Sequence, residues 1–103
     1  MENFDSKVAA KALKVARIAR DYTTRKVAEY AQVSPSYISD VENGKKRLTL
    51  NTLKKLSSAY NISASQMVEL IEYCESLETS EENELRKYQL ALIKVLKMYL
   101  NIN

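Results

Sequence analysis

The chain of 103 residues has little of several things: one Gly, one Pro, one Cys, no His and no Trp. Without His there is no imidazole base and no His ligand for zinc. A lone Cys closes no internal disulfide and builds no Cys-rich metal site, which suits a reducing, cytoplasmic setting. A lone Gly builds no Gly-rich phosphate loop. No catalytic set, metal site or cofactor is therefore expected, and the chain does not read as an enzyme. Nor is there a long hydrophobic run. The most apolar stretch, Tyr88 to Ile102, is broken by Lys94 and Lys97 and is short of the ~20 residues of a membrane span. The N-terminus is amphipathic and does not read as a signal peptide.

What is present points to helices. Apolar residues make up 46% and charged residues 28%, enough for one core in one soluble domain. With so few residues for tight hairpins, an all-α protein is expected rather than a sandwich or barrel. Charge is divided along the chain. Residues 1–68 hold twelve Lys/Arg against six Asp/Glu, whereas residues 69–103 hold four against seven, so the modest net +3 averages a basic part and an acidic one. A basic part of this kind suits a polyanion.

The punctuation predicts six helices. Asp5 or Ser6 caps a first, to about Arg20, with Val8, Ala12, Val15 and Ala19 along one side and Lys7, Lys11 and Lys14 as a solvated basic stripe beside it. Thr23 caps a second, to Ala31. Ser34 followed by Pro35 starts a third, which ends near Asn43 with Gly44 left-handed just beyond it. Thr49 caps a fourth carrying Leu53, Leu56 and Ala59 inward, and Asn61 ends it. Ser63 opens a fifth, with Met67, Leu70, Ile71, Cys74 and Leu77 on one face and Cys74 a buried thiol. Thr79 and Glu82 have the spacing of a capping box, from which a sixth helix runs to about Leu100.

Two short helices, 23–31 and 35–43, joined by about three residues, have the spacing of a helix-turn-helix. Ala28 allows a close crossing, Val33 fills the turn, and Ile38 and Val41 point inward. Over Leu13 to about Leu70 the chain resembles the phage-repressor/Cro (xenobiotic-response-element) helix-turn-helix family. The residues that carry the likeness are Val27-Ala28-Glu29, Val33-Ser34, Tyr37-Ile38-Ser39-Asp40-Val41-Glu42-Asn43-Gly44-Lys45, Thr49-Leu50, Thr52 to Leu56, Ala59 and Ile62-Ser63. The resemblance implies a five-helix lambda-repressor-like DNA-binding domain in residues 1–78, followed by an added C-terminal segment, 79–103. It places Pro35, Ser36 and Asp40 at base-reading positions in the DNA major groove, with Tyr37 and Ser39 beside them. It places Thr23, Thr24, Asn43, Lys45 and Arg47 at phosphate, with Lys46 between the last two. Arg25, in the first turn of the second helix, opposes the helix dipole in a way a phosphate would offset. Arg17 and Glu42 fall where the family has an internal ion pair.

The chain departs from the family pattern at Gln32 and Asp21, where Gly is frequent, and at Thr24, where Gln is. The non-Gly residue at 32 must strain or shift the turn. With no Arg, Lys or Gln on the reading helix, Asp40 is suited to accept from cytosine N4 and Pro35 to touch a thymine methyl, and shape readout takes a larger share.

The last helix carries Leu85, Tyr88, Leu92, Val95, Tyr99 and Ile102 at alternating steps of three and four, widened by Ile93, Leu96 and Leu100. A stripe so apolar cannot face water. Leu85, Tyr88, Leu92, Val95, Leu96 and Tyr99 are expected to pair with a second copy, the alternative being that the helix packs only on its own domain. The function expected is that of a homodimeric repressor on a palindromic operator. The alternative is an antitoxin or adaptor that uses the same helix for a partner protein.

Overall fold

The computed structural model describes residues 6–100. It is all-helical there: α1 (Ser6–Ala19), α2 (Thr24–Ala31), α3 (Pro35–Glu42), α4 (Leu50–Ala59), α5 (Ala64–Glu78) and α6 (Glu84–Leu100). Asp5 and Ile102 lie outside the described residues.

One device opens α2 to α5, and Asn83 repeats it at α6. The side-chain oxygens of Thr23, Ser34, Thr49 and Ser63 accept from the backbone N–H three residues on, at 3.0–3.1 Å, and so satisfy a donor that the first turn leaves unpaired. At Ser63 the Gln66 side chain returns a bond to the cap's own N–H at 2.9 Å, completing a capping box. A second device closes four helices. Asp21, Gln32, Gly44 and Asn61 all have φ between 57° and 71°. Each donates its N–H to the carbonyl three residues back, and the residue after it donates to the carbonyl five back. Thus Gly44 bonds Val41 at 3.1 Å and Lys45 bonds Asp40 at 2.8 Å. This is the Schellman ending. Only one of the four is Gly; the other three hold a Cβ in the left-handed region, each at a cost of about 1 kcal/mol.

Packing is organised around α1. Its small residues Ala9, Ala12 and Ala16 are buried with Val8, Leu13 and Val15, and it packs against α3, α5 and α6. α2 lies on α3 and α4, and α4 on α5. Ile38, Val41, Leu53, Leu56, Tyr60, Met67, Leu70 and Cys74 fill the centre. Burial pushes the Cys74 thiol up to about 11, so it is a packing group.

Three expectations are corrected. Lys11 does not belong to a solvated stripe: it is only 6% exposed, and its Nζ reaches Glu78 at 2.8 Å and Glu84 at 3.2 Å, tying α1 to both later helices. Burial lowers its affinity for a proton, but the two glutamates outweigh that and hold its pKa above the usual value. Thr79 does not open the last helix. It caps the C-terminus of α5, its hydroxyl donating to the Ser76 carbonyl at 3.1 Å. Asn83 is the cap of α6, accepting from the Arg86 N–H at 2.8 Å.

The third correction concerns the α6 stripe, which is two edges rather than one seam. Lys87, Ala91 and Val95 are buried, the last two fully so, and Ala91 and Val95 close the same core as α1 and α5. Tyr99 turns the same way, and its hydroxyl donates to the Tyr60 carbonyl at 2.6 Å. Val95 and Tyr99 therefore serve the chain's own packing. Leu85, Ile93, Leu96 and Leu100 are left exposed, with Tyr88 and Leu92 half-buried between the two edges.

Candidate nucleic-acid interface

α2 and α3 meet across a turn of three residues, Gln32 to Ser34. Val27, Ala28, Ala31, Ile38 and Val41 are buried at or near this crossing, and Val33 is packed against the core. With these side chains inward, the opposite face of α3 is left to solvent. Pro35, Ser36 and Ser39 are exposed there and Asp40 is partly so. Ser36, Asp40 and Asn43, spaced by four and three, share one stripe. Asn43 donates its side-chain amide to Ser39 Oγ at 3.4 Å, and Ser36 Oγ lies 3.3 Å from Ser34 Oγ.

Tyr37 differs from the other four expected readers. It is half-buried and packed against the core. Its hydroxyl donates to Thr52 Oγ1 at 3.4 Å, and Thr49 Oγ1 donates to the same atom at 3.0 Å. Tyr37 thus props α3 on the start of α4. The Lys46 Nζ sits 5.7 Å from the Tyr37 ring centre and 3.6 Å from Asp40 Oδ2. Neither Tyr37–Thr52 nor Lys46–Asp40 was foreseen in sequence. The second depends on the Gly44 turn, which carries the chain back over the end of α3.

Around this stripe stand the residues expected at phosphate. Thr23 is exposed and Thr24 half-buried at the start of α2. Arg25 is exposed one residue on, and Asn43, Lys45, Lys46 and Arg47 are exposed just past α3. The first turn of α2 carries no acidic side chain, so its unpaired N–H groups and Arg25 present positive potential at the start of that helix. The Lys45–Arg47 loop does so just past α3, where Lys46 reaches Asp40.

The Arg17–Glu42 pair sets the angle of α3. Arg17 Nε donates to Glu42 Oε2 at 2.8 Å, Nη2 to Oε1 at 3.1 Å, and Nη1 to the Tyr22 carbonyl at 2.9 Å. The guanidinium thus fixes the end of α3 and the α1–α2 turn to one helix. Hydrogen bonding to Glu42 raises the Arg17 pKa against the opposing effect of burial. Buried Tyr60, beside this pair, has its phenol pushed well above the usual range, by burial first and then by Glu42.

Two short crossed helices, the second with an exposed polar stripe and a cationic loop beside it, make up a helix-turn-helix unit. Residues 13–67, more than half of the chain, match the helix-turn-helix family of the Cro/C1 type, and the chain belongs to that family. An HTH-type transcriptional regulator, DdrOP3 of Deinococcus deserti, is 34% identical over 61 residues, which are 59% of this chain and 47% of that protein. The match thus spans about half the length of that relative. Crystal structures of the clp gene regulator ClgR from Corynebacterium glutamicum share the fold. One is 26% identical with a TM-score of 0.65, covering 94% of this chain and 95% of that one. At that coverage the likeness takes in α6. Another is 23% identical with a TM-score of 0.64, covering 79% of this chain and all of that one. No helix among the described residues is long and apolar enough to cross a membrane.

Proposed function

We propose that the chain binds double-stranded DNA in a sequence-dependent way and regulates transcription, with α3 in the major groove. The observation that carries this reading is the exposed Ser36–Ser39–Asp40 stripe with the cationic Lys45–Arg47 loop beside it, Lys46 reaching Asp40. Pro35, Ser36, Ser39 and Asp40 meet base edges. Thr23, Thr24, Arg25, Asn43 and the Lys45–Arg47 loop meet phosphate.

The working form is a homodimer, because one eight-residue reading helix covers one half-site and a palindrome needs two about 34 Å apart. The outward edge of α6 supports this. Leu85 is 69% exposed, Leu100 68%, Ile93 43% and Leu96 40%, and Ile18 of α1 adds 48% beside them. An apolar groove of about 220 Å³ runs between Val15, Ile18, Leu85, Tyr88 and Leu92. A patch of this kind supports a second copy as its cover. The acidic residues of α5 and its following turn would be kept away from DNA. Repression follows from occupying an operator that polymerase must cross.

The test is titration of the full chain onto the DNA upstream of its own gene. The expected result is a protected stretch containing two half-sites about one helical turn apart. No protection, together with sedimentation as a monomer, would overturn the reading. A stable heteromeric complex with the product of a neighbouring gene would instead favour the antitoxin or adaptor use of the same α6 edge.

A further inference from the structure

We infer that Asp40 and Lys46 act together as one reader of a C·G base pair. The inference rests on the DNA-binding reading above, and it moves Lys46 from the phosphate backbone to a base edge.

The two side chains come from different segments. Asp40 stands on the exposed stripe of α3; Lys46 lies in the loop beyond it. The left-handed Gly44, at φ 71°, and the Lys45 N–H bond to the Asp40 carbonyl at 2.8 Å fold that loop back over the helix end. Lys46 Nζ then rests 5.7 Å from the Tyr37 ring centre and 3.6 Å from Asp40 Oδ2. Tyr37 is itself held by Thr52 of α4. The lysine head is therefore supported from below by an aromatic face and flanked by a carboxylate, at the side of the reading stripe. Its side chain is still 56% exposed and that of Asp40 35%, so both heads remain open to a ligand.

The pair presents an acceptor and a donor side by side. The major-groove edge of a C·G pair presents the complement: the cytosine N4 amino group donates, and guanine O6 and N7 accept. N4 and O6 are hydrogen-bonded to each other across the pair, about 2.9 Å apart. That spacing is close to the 3.6 Å between Asp40 Oδ2 and Lys46 Nζ. Asp40 accepts from N4 while Lys46 donates to O6 and N7, and neither charge loses its partner. An A·T pair also offers a donor beside an acceptor, but adenine N7 then faces the carboxylate and the thymine methyl crowds the ammonium. The inverted G·C pair sets acceptor against acceptor. The device thus prefers C·G in one orientation, although no Arg or Gln stands on the helix.

The test is fluorescence anisotropy of the full chain on duplexes selected by the wild type from a randomised pool, followed by all four base pairs at each half-site position. One position is expected to require C·G. Asp40→Asn and Lys46→Met are each expected to weaken binding to that duplex about tenfold; where that position carries A·T, Lys46→Met is expected to change binding little and Asp40→Asn, with no carboxylate facing adenine N7, to bind as well or better. The double variant is expected to be hardly worse than either single one. Circular dichroism checks that these exposed substitutions leave the helices intact. A uniform loss for Lys46→Met on every duplex makes Lys46 a backbone anchor and overturns the inference, as does an undiminished C·G preference in Asp40→Asn. A wild-type chain that selects no sequence overturns the DNA-binding reading itself, a distinct failure.

Discussion

Replacing Arg17 by Met removes three charge-assisted hydrogen bonds at once, two to Glu42 and one to the Tyr22 carbonyl. The Glu42 side chain is 7% exposed and that of Arg17 17%. The variant therefore leaves a carboxylate with little water and no cation. Breaking a buried pair from one side costs about 3–5 kcal/mol, and the partial exposure of Arg17 favours the lower end. Against the ~5–15 kcal/mol of a domain this size, a loss of about 3 kcal/mol is severe and corresponds to a fall in Tm of roughly 12 °C or more. Thermal melts followed by circular dichroism measure it. The companion variant Arg17→Met/Glu42→Leu removes both charges and is expected to regain much of the loss, because two apolar groups leave no orphan. A loss below about 1 kcal/mol in the single variant, typical of exposed pairs, would refute the claim that this pair holds α3 against α1.

The Lys11 staple predicts a pH window. The Glu84 pKa is lowered, chiefly by its hydrogen bond from Lys11, so its contribution is full above 4.5 and fades as pH falls through the lowered value. The Lys11 pKa is raised above 10.5, so its share is present below that and fades as pH rises through the raised value. The Tm difference between wild type and Lys11→Met should be widest between these limits and shrink in acid; a flat difference would contradict the staple. Gln32→Gly should raise stability by about 0.5–1 kcal/mol, since Gly removes a Cβ from the left-handed region at some entropic cost; a lower Tm would show that the Gln side chain contributes more than its backbone costs. Leu96→Glu should keep the helical fold yet give a monomer in sedimentation, whereas Val95→Asp should unfold the chain. A dimeric Leu96→Glu would remove the outward α6 edge from the interface.

The parts legible in sequence are local ones. Thr23, Ser34, Thr49 and Ser63 are read within three residues of themselves, as are Pro35 and the Gly44 ending. The buried faces of α3 and α5 follow from helical spacing. Arg17–Glu42 was legible only through the family resemblance, and the geometry agrees. What stayed hidden depends on how elements dock. A lysine stripe looks solvated until Glu78 and Glu84 are brought against Lys11 from 67 and 73 residues away. Thr79 and Glu82 have capping-box spacing, but α5 continues far enough to take Thr79 as its own ending. The α6 stripe is wide enough for two neighbours, and no spacing rule says which edge the chain keeps for itself. The Asp40–Lys46 pair needs the chain reversal at Gly44, which periodicity does not describe.

The central claim, that the exposed stripe of α3 sits on DNA, is tested most directly by the salt dependence of binding to the selected duplex. If Arg25, Lys45 and Arg47 of each chain in a dimer meet phosphate, log K should fall against log salt with a slope of about −5. Lys45→Ala should make that slope shallower by about one unit per chain. A slope near zero, or one that Lys45→Ala leaves unchanged, would contradict the account.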